Sequence, residues 1–105
     1  MSDRLIDLSF EPLSPTAYLD RAAAAHGQRA AVVDGDRRWT YAELHQRCMQ
    51  LAGAVGPLAH GRPVAVLAPN THVLLEAHYG VPWAGVPLVA INTRLSAGEV
   101  AHILE

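Results

Sequence analysis

The sequence predicts an α/β fold containing parallel strands, and three observations carry that prediction. Residues 63–68, PVAVLA, and 87–91, PLVAI, are short apolar runs rich in Val, Leu and Ile, the pattern of strands covered on both faces. The segment between them is the right size for one helical crossover, so the unit reads as β-α-β with its strands parallel. Upstream, residues 30–34 and 37–41 flank Gly35-Asp36, which reads as a β-hairpin closed by a two-residue turn. A chain of 105 residues, half of them hydrophobic, holds one domain at most and has the material for a core.

The elements follow in order. Residues 1–13 show no clear period over their length. Leu5, Ile6, Leu8 and Phe10 fit an N-terminal arm packed against a larger body, and fit equally a partly ordered terminus. Residues 14–105 form the partial α/β domain. Ser14-Pro15 opens the first helix, with a capping hydroxyl before a proline at the first helical position. Tyr18, Leu19, Ala22 and Ala23 share a face there, and Gly27 supplies the stop. After the hairpin, with Arg37 and Arg38 at its solvent end and Trp39 a packing residue, Thr40-Tyr41-Ala42-Glu43 is a capping box. The helix it starts carries Tyr41, Leu44, Cys48, Leu51 and Val55 on one stripe, with Glu43, Gln46, Arg47 and Gln50 outside it. Gly56-Pro57 is expected to end that helix. Pro69-Asn70-Thr71 caps the crossover helix, whose face is Leu74, Ala77, Val81 and Ala84, with a kink at Pro82 and a stop at Gly85. Ser96-Ala97-Gly98-Glu99 is a second capping box. The helix it opens has no Gly, Asn or Pro to close it before Glu105, the expectation for a sequence that is a fragment.

Composition excludes several classes. The net charge is −2, and all eight basic residues are Arg with no Lys anywhere. There is no clustered basic face for a nucleic acid. Cys48 is the single cysteine, so it has no disulfide partner, and its place on the apolar stripe makes it a core residue. No apolar run reaches the length of a membrane span, and the first 14 residues lack a signal-peptide core. A soluble cytoplasmic setting is the expectation.

Tests for known chemistry are mostly negative. His26, His45, His60, His72, His78 and His102 include no i, i+4 pair and no HExxH, so no metal site is assigned. Gly80 and Gly85 have the glycine spacing of a P-loop, but Val86-Pro87 stands where Lys and Ser or Thr are required. There is no GxGxxG, no GxSxG and no evident acid–base pair of carboxylates. No catalytic residue is assigned.

Four passages in this order resemble the N-terminal part of the large domain of the AMP-forming acyl-CoA synthetases, the adenylate-forming ligase superfamily. They are Arg38-Trp39-Thr40-Tyr41-Ala42-Glu43-Leu44, Val64-Ala65-Val66-Leu67-Ala68-Pro69-Asn70, Val81-Pro82-Trp83-Ala84-Gly85 and Ile91-Asn92-Thr93-Arg94-Leu95-Ser96. Together they span most of residues 14–105, and Asn-Thr-Arg-Leu leans toward fatty or related acyl-CoA ligases. The resemblance implies a two-step reaction. A carboxylate and ATP give acyl-adenylate and pyrophosphate, and coenzyme A then displaces AMP to give a thioester.

ATP, Mg and coenzyme A are the cofactors this implies for a full-length enzyme, with a carboxylic acid as substrate and no cofactor bound by the fragment. The family's phosphate loop with its Lys, ribose-binding Asp and C-terminal catalytic Lys have no counterpart here, so the fragment alone is expected to be inactive. Arg94 matches an Arg that lies near the coenzyme A nucleotide phosphate in some members, and a guanidinium suits phosphate. Alternatively Arg94 holds the strand-to-helix loop through Glu99. Two rival readings are an adenylation domain that loads a carrier protein and a non-enzymatic α/β interaction module. A cut parallel sheet leaves edges and apolar faces open, so the isolated piece is expected to self-associate as a dimer or domain swap.

Overall fold

A computed structural model describes residues 14–105; the N-terminal arm expected over 1–13 lies outside the described residues. The elements run α1 (Pro15–His26), β1 (Ala30–Asp34), β2 (Arg37–Thr40), α2 (Tyr41–Ala59), β3 (Val64–Leu67), α3 (His72–Trp83), β4 (Leu88–Ile91) and α4 (Ala97–Leu104). β1 and β2 form an antiparallel hairpin, and β3 pairs in parallel with β4 across the α3 crossover. The hairpin register pairs Asp34 with Arg37 and Val32 with Trp39, and it shifts between Ala30 and Val32. Gly35 turns the corner at φ 62°, a backbone state that favours glycine.

All four helix starts sit where the sequence places them. Ser14 Oγ accepts from the amide of Ala17, and Thr71 Oγ1 from that of Val73. Both capping boxes close reciprocally. The Thr40 amide donates to Glu43 Oε1 at 2.8 Å, and the Glu43 amide donates to Thr40 Oγ1 at 3.1 Å. The free amides of Tyr41 and Ala42 find tertiary partners, donating to the carbonyls of Arg29 and Gly27 at 3.0 Å each. That ties the α1–β1 loop to the start of α2 and satisfies donors a helix start leaves open.

The helix ends differ from expectation in two places. Gly27 follows α1 in a right-handed conformation, φ −52°, so no left-handed cap forms there. α2 passes through Gly56-Pro57 to Ala59 and stops at His60, φ 50°, followed by Gly61, φ 75°. A proline near the end of a helix removes only one backbone bond, and two successive left-handed residues make the stop instead. α3 stops as expected, with Gly85 at φ 84°.

Two apolar clusters lie along α2, one at each half of the helix. Tyr41, Leu44 and Cys48 pack with Leu19, Val32 and Trp39, while Leu51 and Val55 pack against Ala77, Val81 and Val86. The single stripe on α2 therefore serves both. Of the face expected on α3, Ala77 and Val81 are buried and Ala84 packs against their cluster, while Glu76 and Gly80 are buried as well. A Cβ on Gly80 would stand 2.7 Å from Leu51 Cδ2 and 3.0 Å from Leu51 Cβ, so a bare backbone is what lets α3 lie this close to α2.

The parallel pair is covered more fully on one face than on the other. Val64, Val66 and Leu88 pack against the Ala77–Val81–Val86 cluster. On the other side Leu67 is 56 % and Val89 36 % exposed while Ile91 is buried, and the end of α4, at Ile103 and Leu104, borders a groove beside Ala65 and Val89. The apolar runs are those of a sheet sandwiched between layers; α2 and α3 supply one of those layers, and the other face is covered only in part.

Candidate functional site

The parallel register brings Leu67 opposite Ile91. The loops after β3 and β4 therefore leave the same, carboxyl end of the sheet, where open α/β sheets bind ligands. The second loop carries Arg94. Asn92 Oδ1 accepts from the Arg94 amide at 3.0 Å, and the Leu95 amide donates to the Asn92 carbonyl at 3.2 Å. This local turn exists because an Asx side chain offers the backbone an acceptor two residues on. Immediately after it, the Ser96 amide donates to Glu99 Oε1 at 3.0 Å and the Glu99 amide to Ser96 Oγ at 3.2 Å. Those bonds, the backbone one first, hold the Glu99 carboxyl below its ordinary pKa.

Arg94 thus sits between two rigid local motifs with its backbone fixed and its side chain exposed. Glu99 is engaged by its own capping box and not by Arg94, so the alternative role for Arg94, holding the loop through Glu99, is not what the structure contains. Among the described residues no hydrogen bond or ion pair engages the Arg94 guanidinium. A fixed loop presenting a free guanidinium suits an anionic oxygen cluster such as a phosphate.

A second polar constellation joins the hairpin, α2 and α3. Arg47, on α2, donates through Nε and a terminal nitrogen to the two carboxylate oxygens of Glu76 on α3, the second bond at 3.3 Å. Glu76 is 7 % exposed, so the fork is what makes its burial tolerable. The Arg47 guanidinium also lies 5.6 Å from the Trp39 ring centre. His72 stacks on Trp39 with centroids 4.3 Å apart. Its Nδ1–H donates to Asp34 Oδ2 at 2.8 Å, and its backbone amide reaches the same oxygen at 3.2 Å. The side-chain bond from His72, then the backbone one, hold the Asp34 carboxyl below its usual range.

Cys48 lies fully buried beside the pair, its thiol directed at the Glu76 carbonyl at 3.8 Å. Burial, then the nearby Glu76 charge, push it up to about 11, the state of a packing thiol and not a nucleophile. The constellation joins hairpin, α2 and α3. Its members are paired with one another, which describes a clamp and not an open site. Sequence spacing does not reveal it: Arg47 and Glu76 stand 29 positions apart. The one available signal was a carboxylate at position 76, directly beside the apolar stripe of α3.

Comparison with known proteins now identifies the setting. The model of the family described as AMP-binding enzyme matches residues 19–105. The chain belongs to the AMP-binding enzyme family. It is 40 % identical over 101 residues to acetate/butyrate–CoA ligase AAE7, peroxisomal, of Arabidopsis thaliana, covering 94 % of this chain and 18 % of that protein. It is 39 % identical over 98 residues to acetate–CoA ligase CCL3 of Humulus lupulus, covering 91 % of this chain and 17 % of that one. Benzoate CoA ligase from Burkholderia xenovorans superposes with a TM-score of 0.76 at 29 % identity, over 89 % of this chain and 19 % of the ligase. An anthranilate CoA ligase shares the fold with a TM-score of 0.81 at 24 % identity. The chain therefore spans less than a fifth of the length of these relatives. Its architecture is the α/β fold of adenylate-forming CoA ligases, and its sequence corresponds to the N-terminal part of their family domain.

The residues present can be set against the groups the family uses. The exposed guanidinium of Arg94 offers donors suited to an anionic oxygen. For ATP and Mg the chain offers no Lys, and no group of three or more His, Cys, Asp or Glu suited to a cation occurs among the described residues. No helix among them is long and apolar enough to cross a membrane.

Proposed function

We propose that this chain is part of the large domain of an AMP-forming acyl-CoA ligase. The full enzyme converts a carboxylic acid, ATP and coenzyme A into acyl-CoA, AMP and pyrophosphate. The observation that carries the reading is the family match over residues 19–105 together with relatives at 39–40 % identity that are named as CoA ligases. Within that enzyme the role of the chain is architectural. It sets two strands and a clamp of helices so that loops at the carboxyl end of β3 and β4 border the site. Lysine-dependent adenylation chemistry comes from outside this chain.

The substrate class follows the relatives' names, which specify acetate, butyrate, 2-methylpropanoate and benzoate. A short or aromatic carboxylic acid is therefore the first substrate to try, ahead of the long-chain acids of fatty acid metabolism. A cytoplasmic setting belongs to the same reading, supported by a lone buried cysteine. Relatives named as peroxisomal include three of those at about 40 % identity, and cell fractionation separates the two compartments.

Arg94 is the point where this chain reaches a ligand, as a contact to the phosphate of coenzyme A. In a protein of the relatives' length that carries this segment, Arg94→Ala is expected to raise the KM for coenzyme A and leave that for ATP unchanged. An unchanged KM for coenzyme A would remove the role. The same preparation, offered coenzyme A and a carrier protein in parallel, should form thioester with coenzyme A. Thioester on the carrier alone would favour the adenylation-domain reading instead.

A further inference from the structure

We propose that Asn92 is a positioning residue for Arg94. Its side chain closes the turn from which the guanidinium reaches its anionic ligand, so the ligand meets a backbone already ordered. This role rests on the reading of Arg94 as the contact to a phosphate of coenzyme A, and it adds the residue that aims the contact.

The chain is held on both sides of Arg94. Before it, Ile91 is buried and pairs with Leu67 across the parallel strands. After it, the Ser96–Glu99 capping box closes at 3.0 and 3.2 Å. Between these anchors run Asn92, Thr93, Arg94 and Leu95, and the first three are exposed, so packing does little to fix their course. Asn92 fixes it with two acceptors. Its Oδ1 takes the amide of Arg94 at 3.0 Å, and its carbonyl takes the amide of Leu95 at 3.2 Å. The side-chain bond therefore lands on the backbone of the residue whose own side chain is open to a ligand. An Asn acceptor placed this way reproduces a backbone turn locally.

The gain is one of preorganisation. An arginine side chain gives up rotamer freedom when it is bound, and ordering its backbone at the same moment adds a further entropic cost. A turn closed beforehand removes that second cost and so favours affinity. The bond from the Arg94 amide is open to solvent, so its loss loosens the turn without unfolding the domain, and the expected effect is modest.

The test measures KM for coenzyme A, KM for ATP and kcat in a protein of the relatives' length that carries this segment. The variants are Asn92→Ala, Asn92→Ser, Arg94→Ala and the double variant Asn92→Ala with Arg94→Ala. Asn92→Ala is expected to raise KM for coenzyme A roughly three- to tenfold, the range of one exposed hydrogen bond, with kcat and KM for ATP little changed. Asn92→Ser, whose hydroxyl makes the same turn more weakly, should lie between Asn92→Ala and the parent. On the Arg94→Ala background, Asn92→Ala should add nothing. If Arg94→Ala raises KM for coenzyme A and Asn92→Ala does not, the positioning role is overturned and the Arg94 contact stands. If Arg94→Ala has no effect on that KM, both fall. An Asn92→Ala effect of equal size on the Arg94→Ala background, or one that spreads to KM for ATP, would also overturn the proposal, because Asn92 would then not act through Arg94.

Discussion

At residue scale the molecule depends on one buried charge. Glu76 is accepted in the interior because Arg47 forks onto it, and Arg47 in turn lies beside Trp39. Removing one partner leaves a buried carboxylate without its counter-ion, which costs more than the pair contributes. Arg47→Met is expected to lower unfolding stability by about 1–3 kcal/mol, discounted for the partly exposed Arg47 head. Arg47→Met with Glu76→Leu should recover part of that loss in denaturant titrations. Strictly additive losses would mean that the two residues do not act as a pair.

Asp34 gives a second residue-scale expectation. Its folded-state pKa is depressed, chiefly by the bond from His72. The contribution is therefore present above the ordinary carboxylate pKa and lost as pH falls through the lower folded value. Asp34→Asn should be less stable than the parent at neutral pH, and the two should converge below about pH 4. A gap that persists unchanged into acid would show that the carboxylate charge is not its source. Neither interaction is visible in the sequence, because its partners are 29 and 38 positions apart. The two capping boxes are visible, because their partners lie three positions apart and the chemistry is local.

At the scale of elements, helix starts were more legible than helix ends. A start is decided by one side chain and its nearest amides, whereas an end depends on what the chain does next. Gly56-Pro57 has the look of a stop, yet α2 continues because its stripe still has Val55 and Ala59 to bury. The stripe on α2 was readable because all its members are apolar. The buried face of α3 was readable only in part, at Ala77 and Val81, since it also includes Glu76 and Gly80, residue types that composition assigns to a surface or a turn. Gly80 proves to be a packing residue against Leu51. Gly80→Ala, favourable on helix propensity alone, is expected to destabilise by about 1–3 kcal/mol through overpacking. Adding Leu51→Ala should relieve part of that strain in thermal unfolding. A Gly80→Ala variant more stable than the parent would mean that the helices have room to part.

At the scale of the whole molecule, the strands' apolar runs anticipate a sheet covered twice, and the described chain covers the second face only in part, leaving Leu67 and Val89 open. The family comparison fits this: the chain spans less than a fifth of its relatives' length, and Arg94 stands exposed in the loop at the sheet's carboxyl end. Order and type of element were readable from periodicity and caps. The reaction was not readable from residues alone, because no spacing in the chain matches a known catalytic motif, and only the resemblance of four passages pointed to it. The central claim is that this chain frames an adenylate-forming site without performing the chemistry. Carboxylate-dependent exchange of labelled pyrophosphate into ATP tests it most directly, measured for the 105-residue chain beside a protein of the relatives' length that contains it. Exchange is expected from the longer protein alone, with acetate, butyrate or benzoate as the first acids tried. Exchange by the 105-residue chain, or none by the longer protein with any carboxylic acid, would contradict the account.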